Sequence, residues 1–483
     1  MQPYQIFYYQ KKKKTNNRNA TAKMTKVLLP ENSKPPHIVV FPFPAQGHLL
    51  PLLDLTHQLC LRGVNVSVIV TPGNLTYLSP LLSAHPSSVT SVVFPFPPHP
   101  SLSPGVENVK DVGNSGNLPI MASLRQLRDP IIHWFRSHPN PPIALISDFF
   151  LGWTHDLCNQ ISIPRFAFFS ISFFLVSVLH FCFENIDLIK STDPIHLLDL
   201  PRAPIFKEEH LPSIVRRSLQ TPSPDIETIK DFSKNLLSYG SVFNSSEILE
   251  DDYLEYVKQR MGHDRVFVIG PLCSIGSGLK SDSGSIDPSL LSWLDGSPNR
   301  SVLYVCFGSQ KALTKDQCDA LALGLEKSMT RFVWVVKKDP IPDRFEDRVS
   351  GRGLVVRGWV SQLAVLRHVA VGGFLSHCGW NSVLEGITSG AVVLGWPMEA
   401  DQFVNARLLV EHLGIAVRVC EGGETVPDPV ELGRVIAETM GEGGREVAAC
   451  AEEIRQKTEA AVTETNGSSI EDLQRLVKEF GKV

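Results

Sequence analysis

The chain has 483 residues, of which 43% are hydrophobic and 20% charged, and its net charge is −4 at neutral pH. At roughly 100–200 residues per domain, that length holds two or three domains, and the composition is that of an ordinary soluble enzyme. It has neither the basic surplus that a nucleic-acid partner would demand nor an acidic binding tail. Nine cysteines, an odd number at scattered positions with no C-x-x-C pair, fit neither a disulfide framework nor zinc; they suit a reducing, cytoplasmic compartment.

Residues 1–35 carry Lys11–Lys14, many Asn and Thr, and no apolar segment of the signal-peptide kind, so a disordered leader is expected, with Met24 an alternative start. Regular patterning begins at His37. HIVVF reads as a strand, FPAQGH as a tight turn, Leu49–Leu61 as a helix with one apolar face, and Val64–Val70 as a second strand. This βαβ opening predicts a doubly wound sheet. His48 stands where the turn becomes the helix, over the carboxyl edge of that sheet. Packing or capping would explain it, but a histidine is also the side chain suited to abstracting a proton near neutral pH.

A Pro-rich loop covers Phe94–Gly105, and Ile143–Ile146 is a strand that Ser147 and Asp148 close. Asp148 either caps the next helix or, if it faces His48, fixes one imidazole tautomer and stabilises the imidazolium. Phe166–Phe183 holds 18 residues without a charge, at the lower limit for a membrane span. Its Ser and His interruptions favour a buried strand, Phe166–Phe169, then a turn at Ser170 and an apolar helix, so no membrane insertion is expected. From about 185 to 235 the chain is irregular and rich in Pro and charge. Ser241–Asn244 and Val266–Gly270 read as strands around an acidic helix from Glu247, and Gly276–Ser285 as a flexible linker.

A second βα series starts at Ser301. SVLYVCF is a strand, Gly308-Ser309 a turn that can cradle phosphate or simply turn, and a helix runs through Leu325. Strands follow at Phe332–Val336 and Val355-Val356. The stretch from Trp359 to Gln402 says most. Ala370–Leu375 and Ala391–Leu394 are short apolar runs of the buried parallel kind, and HCGWNSVLEGITSG between them opens a helix that Gly390 closes. Such a strand, turn and helix present free N–H groups where open sheets bind ligands and where phosphate is attracted. His377, Asn381 and Ser382 offer donors there. Glu385 offers a carboxylate for ribose hydroxyls, Trp359 a flat face for a base, and Asp401 and Gln402 groups suited to sugar hydroxyls. Each has a plainer reading: Ser382 and Glu385 spell the S-x-x-E of a capping box, and a lone Trp359 or His377 is commonly core. Leu432–Met440, Glu446–Ala460 and Ile470–Phe480 read as closing helices.

As a whole, the string W-x-x-Q, H-C-G-W-N-S, L-E-G, W-P and acidic-Gln between Trp359 and Gln402 resembles the C-terminal signature of the plant UDP-dependent glycosyltransferases. HIVVFPFPAQGHLLPLLDL resembles the family's N-terminal motif, and ISDFFLGW the segment whose Asp pairs with that motif's His. The resemblance runs from His37 to the end. It implies an α/β fold of the GT-B type, two Rossmann-like doubly wound domains facing a cleft. Residues 36–270 would bind the acceptor, 271–290 link, 291–465 bind UDP-sugar, and 466–483 return as a helix to the first domain.

The resemblance further implies an inverting hexosyltransferase in which His48 is the general base and Asp148 its partner. The donor site it implies is Ser309, Trp359, Val360, Gln362, His377, Gly379, Trp380, Asn381, Ser382, Glu385, Asp401 and Gln402. Gln402 matches the glucosyl pattern, so UDP-glucose is the expected donor, with no permanently bound cofactor; no D-x-D motif occurs and no metal is expected. FPFPAQGH, SDFFLGW, YVCFGSQ, GHDRV and VPDP are similar to the flavonol 7-O-glucosyltransferase branch. That similarity implies a flavonoid or related phenolic acceptor, with Phe149, Phe150, Phe173 and Phe174 as an aromatic pocket, in a monomer. Small benzoates, terpenoids, UDP-rhamnose and UDP-xylose stay open. The departures from the family pattern, WVSQ for WAPQ, Val392 for Pro and Cys306 for Ser, touch no expected sugar or phosphate contact. An α/β hydrolase lacks its G-x-S-x-G here, and a dehydrogenase its G-x-G-x-x-G. A non-catalytic UDP-sugar binder would have little reason to keep both His48 and Asp148.

Overall fold

A computed structural model of the chain describes residues 34–220, 226–275, 286–308, 311–337 and 339–483. Most of the expected leader, the Gly276–Ser285 stretch and Ser309 lie outside these residues. In chain order the strands of the first half are β1 (His37–Phe41), β2 (Asn65–Val70), β3 (Val89–Val93), β4 (Leu145–Asp148), β5 (Arg165–Phe169), β6 (Ile195–His196), β7 (Ile205–Phe206), β8 (Gly240–Phe243) and β9 (Val266–Val268). Those of the second half are β10 (Val302–Cys306), β11 (Arg331–Val336), β12 (Gly353–Arg357), β13 (Val371–Ser376), β14 (Val392–Gly395) and β15 (Ala416–Arg418). Apart from the small antiparallel β6–β7 pair, they form two parallel sheets, ordered β3-β2-β1-β4-β5-β8-β9 and β12-β11-β10-β13-β14-β15. Most of these strands are Val-, Ile- and Phe-rich and buried, as parallel strands covered on both faces must be.

These are the two Rossmann-like halves of the GT-B fold. Each sheet order reverses once, between β1 and β4 in the first and between β10 and β13 in the second. A crevice opens at the carboxyl ends of the strands at such a reversal. The uncharged run splits as its Ser and His residues suggest, into β5 and the helix Phe173–Glu184, whose residues 173–183 are all buried. A helix apolar all round belongs inside a core, and no helix among the described residues is long and apolar enough to cross a membrane.

The C-terminal helix, Ser468–Glu479, lies behind the first sheet rather than the second. Leu473, Leu476, Val477 and Phe480 join a core with Ile38, Val40, Phe166 and Phe168. Asp472 accepts the Val268 N–H at 2.6 Å, and Ser469 Oγ donates to the Gly270 carbonyl at 2.6 Å. Elements not expected from the sequence also appear: β3, whose Thr90 and Ser91 dilute its apolar run, β15, the β6–β7 pair, and the short amphipathic helices Ser213–Gln220 and Ile226–Lys234.

Candidate active site

The first crevice holds His48 and Asp148. β1 and β4 are neighbours, with Phe41 opposite Ser147. The turn after β1 leads into the helix Gln46–Leu61, whose third residue is His48, while Asp148 is the last residue of β4. His48 Nδ1 lies 3.1 and 3.0 Å from Oδ1 and Oδ2 of Asp148. An ionised carboxylate only accepts, so Nδ1 carries the hydrogen and Nε2 keeps a lone pair. Asp148 is fully buried, and its Oδ1 also accepts the Phe150 N–H at 2.9 Å, capping the 3₁₀ turn Phe149–Leu151. Cap and imidazole partner are thus both true of this residue. An imidazole so held can take a proton at Nε2 while the carboxylate stabilises the cation that forms.

Aromatic rings wall the His48 side chain. Phe149 lies nearly parallel to it at 5.2 Å, Phe150 tilted at 4.6 Å and Phe43 edge-on at 5.4 Å. Phe173 and Phe174 are not brought there. Both are fully buried, Phe173 against Phe243 at 4.2 Å and Phe174 against Tyr253 at 4.4 Å. The aromatic surface that meets His48 is narrower than the sequence suggests, because the apolar helix turns these two rings into the core.

The second crevice holds the turns after β10 and β13, where Cys306 is opposite Ser376. His377 follows β13. A Cβ on Gly308 would lie 2.6 Å from its ring and one on Gly379 2.7 Å, so the ring fits only between two glycines. Burial, reinforced by the charge of Lys337, lowers the His377 pKa to about 4, so the ring is neutral at physiological pH. Its Nδ1 has no hydrogen-bond partner among the described residues. Lys337 donates to the Gly308 carbonyl at 2.9 Å and adds positive charge at the same turn. Between His377 and Gly379, Cys378 is held at φ +63, a strained value for a residue with a side chain.

Gly379 precedes the helix Trp380–Ser389, which has no side-chain cap at its start. Ser382 is therefore the third helical residue and Glu385 the sixth, so their S-x-x-E spacing is not a capping box. Gln362 Nε2 donates to Ser382 Oγ at 3.1 Å and to Glu385 Oε2 at 2.7 Å, which fixes the carboxylate. Trp359 is 75% exposed, with Val360 partly buried beside it. Trp380 is buried, and its indole N–H donates to the Asn244 carbonyl of the first domain at 2.9 Å; it ties the halves together.

Asn381 makes a second tie. Its Nδ2 donates to the Gly47 carbonyl at 3.0 Å, one residue before His48. The helix Gln46–Leu61 contains Pro51. With no N–H, Pro51 cannot bond the carbonyl four residues back, so that of Gly47 lacks its helical partner and takes Asn381 instead. Asp401 Oδ2 accepts Asn405 Nδ2 at 2.6 Å. Burial raises the Asp401 pKa, opposed by hydrogen bonds from Asn405 and the Trp380 N–H and, when the ring is protonated, by His48. Gln402 spends Oε1 on the Met398 and Glu399 N–H groups, at 2.9 and 3.0 Å, which leaves its NH₂ for other partners.

Lys337, Asn244, Asn405 and the role of Pro51 escape a sequence reading. Only Asn405 has a local signal, its place one helical turn after Asp401. Among the described residues no cluster of three or more His, Cys, Asp or Glu could hold a metal ion.

The family model described as UDP-glucoronosyl and UDP-glucosyl transferase matches residues 282–428. The chain is similar to UDP-glycosyltransferase 89A2 of Arabidopsis thaliana, 93% identical over 465 residues that cover 95% of this chain and 100% of that protein. It is 45% identical to flavonol 3-O-glucosyltransferase UGT89B1 of the same plant, over 93% of this chain and 97% of that one. The crystal structure of Arabidopsis thaliana UGT89C1 complexed with UDP-L-rhamnose matches with a TM-score of 0.77 at 35% identity, covering 93% of this chain and 100% of that one. The same protein complexed with quercetin matches with a TM-score of 0.76 at 36% identity, covering 92% and 100%.

Proposed function

The chain belongs to the plant UDP-glycosyltransferases, and on that premise we propose that it transfers glucose from UDP-glucose to a hydroxyl of a flavonoid, first among them a flavonol 7-hydroxyl, or of a related phenolic. The observation that carries the reading is the His48–Asp148 pair, with Nδ1 held at 3.0–3.1 Å by a buried carboxylate in an aromatic wall.

In this reading His48 Nε2 takes the proton of the acceptor hydroxyl. The oxygen attacks the anomeric carbon from the face opposite UDP, the bond to UDP breaks, and its electron pair leaves on the diphosphate. The configuration inverts through an oxocarbenium-like transition state. Asp148 stabilises the imidazolium. The start of helix Trp380–Ser389, neutral His377 and Lys337 stabilise the departing diphosphate. Trp359 stacks on the base, Glu385 takes the ribose hydroxyls, and Asp401 and the Gln402 NH₂ take the sugar. The rings of Phe149 and Phe150 suit a flat polyphenol.

UDP-rhamnose as donor is the second reading, favoured by the likeness to UGT89C1 complexed with UDP-L-rhamnose. The test is a screen of UDP-glucose, UDP-rhamnose and UDP-xylose against flavonols, benzoates and terpenoid alcohols, with products identified by mass spectrometry and NMR. Glucosides of flavonols support the first reading. Rhamnosides replace it with the second, and no product with any pair refutes both.

A further inference from the structure

In the proposed site the sugar meets Asp401 and Gln402, on a turn that follows β14. That turn is closed locally, with the Gln402 N–H donating to the Glu399 carbonyl at 3.1 Å, but this bond does not use the polar groups of Ala400. Ala400 has φ +56, a left-handed conformation that a residue with a Cβ adopts only under constraint. Gln402 closes on the N–H groups of Met398 and Glu399 but not on that of Ala400.

The partners of Ala400 itself come from the other domain. The Ala400 N–H donates to Ser213 Oγ at 2.7 Å, and the Ala400 carbonyl accepts the Ser213 N–H at 3.3 Å. Ser213 is buried and opens the helix Ser213–Gln220. A neighbour also holds the residue after the turn: the His210 ring stacks on Phe403 at 4.7 Å and 12°, and the Arg217 charge acts on Glu399 electrostatically. Two reciprocal hydrogen bonds to one strained residue fix that residue's plane as well as its place.

We propose that Ser213 is a positioning residue for the donor sugar: by holding Ala400 left-handed it sets how Asp401 and Gln402 present their side chains, so the acceptor-domain segment 210–217 takes part in choosing the sugar. The proposal rests on the UDP-sugar transfer reading. It confines the effect to the sugar, because base, ribose and diphosphate are assigned to Trp359, Glu385 and His377, which do not lie on the turn.

The experiment is a calorimetric titration of Ser213→Ala with UDP and, separately, with UDP-glucose. The expected result is a UDP Kd within about twofold of wild type and a UDP-glucose Kd weakened roughly three- to tenfold, the worth of one lost hydrogen bond. The kcat/KM ratio of UDP-glucose to UDP-rhamnose moves by a similar factor. Ser213→Thr, which keeps the hydroxyl, restores both readouts. Ala400→Gly, which holds a left-handed φ unaided, suppresses most of the Ser213→Ala loss when the two are combined. Equal weakening of UDP and UDP-glucose, no change in either, or a Ser213→Ala defect in folding that Ala400→Gly does not repair overturns the proposal. The titrations need no turnover. A wild type that binds UDP-glucose yet transfers no sugar refutes the transferase reading, while the titrations still decide the role of Ser213.

Discussion

Asp148→Asn removes a charge from the proposed mechanism with the smallest change in shape. The carboxylate is fully buried, accepts the Phe150 N–H and lies 3.0–3.1 Å from His48 Nδ1. An asparagine is isosteric, and its carbonyl can keep the Phe150 bond, so the 3₁₀ turn and the strand end survive. When His48 takes the acceptor proton, the imidazolium and the carboxylate have charge centres roughly 4 Å apart; at an effective dielectric constant of about 20 their attraction is about 4 kcal/mol. The ring is 17% exposed, and solvent screening leaves about 3–4 kcal/mol, which is roughly 10²- to 10³-fold in kcat. Asparagine can also turn its NH₂ toward Nδ1, which forces the ring hydrogen onto Nε2 and removes the base. The assay is initial rate at saturating UDP-glucose and the best phenol from the screen, beside calorimetric UDP affinity and a thermal melt. The kcat is expected to fall by that factor with UDP affinity and melting temperature little changed, and His48→Ala sets the ceiling at about 10²–10⁴-fold. A kcat within about threefold of wild type refutes the reasoning.

Pro51→Ala restores an N–H that competes with Asn381 for the Gly47 carbonyl. The fold is expected to gain about 1–3 kcal/mol while kcat falls, so the melting temperature and turnover should move in opposite directions; an unchanged kcat removes the Asn381 tie from function. Trp359→Ala should weaken UDP binding about tenfold to a hundredfold, the range for losing one base–aromatic stack, with kcat at saturating donor nearly unchanged; calorimetry showing an unaltered Kd takes the base off this ring. Glu250 is buried beneath the start of helix Phe173–Glu184, accepting the Phe173 and Phe174 N–H groups and the Ser245 hydroxyl. Burial raises its pKa to about 7 despite those bonds. The folded state therefore holds a proton that the unfolded chain releases near pH 4.5, so this group's stabilisation is complete below about 4.5 and is lost as pH rises through about 7. Thermal melts from pH 5 to 8 should show the wild type losing stability relative to Glu250→Gln as pH rises, since at the acid end both side chains are neutral; a pH-independent difference contradicts the assignment.

The two βα series and their switch points were legible because buried parallel strands are short Val- and Ile-rich runs between Gly and Pro, as β1, β13 and β14 are. His48 and Asp148 were legible as positions at strand ends, and the structure brings them together. The segment from 185 to 235 was not legible: β6 and β7 are two residues each, too short for a pattern, and the helices Ser213–Gln220 and Ile226–Lys234, though amphipathic, span only eight and nine residues among Pro-rich breaks. Nor could the sequence separate Phe149 and Phe150 from Phe173 and Phe174: the four form two adjacent phenylalanine pairs, all are buried, and only the first pair meets the His48 ring. The ties of Asn381 to Gly47 and Trp380 to Asn244 join residues hundreds of positions or at least a domain apart, and no local signal records them. Gln402 was read as a sugar ligand, and the turn it closes became visible only when its carbonyl met two backbone N–H groups.

The helix Ser468–Glu479 makes the chain pass between its halves twice, once ahead of β10 and once on the way back to β9. Paired tethers act like the leaves of a door hinge, allowing bending about one axis while resisting twist. The bonds of Asn381 to Gly47, Trp380 to Asn244 and Ser213 to Ala400 also span the two halves and lie in the path of such bending. A chain cut short before that helix would lose the backing of its first sheet and keep only one tether, leaving a swivel in which the two crevices no longer meet in register.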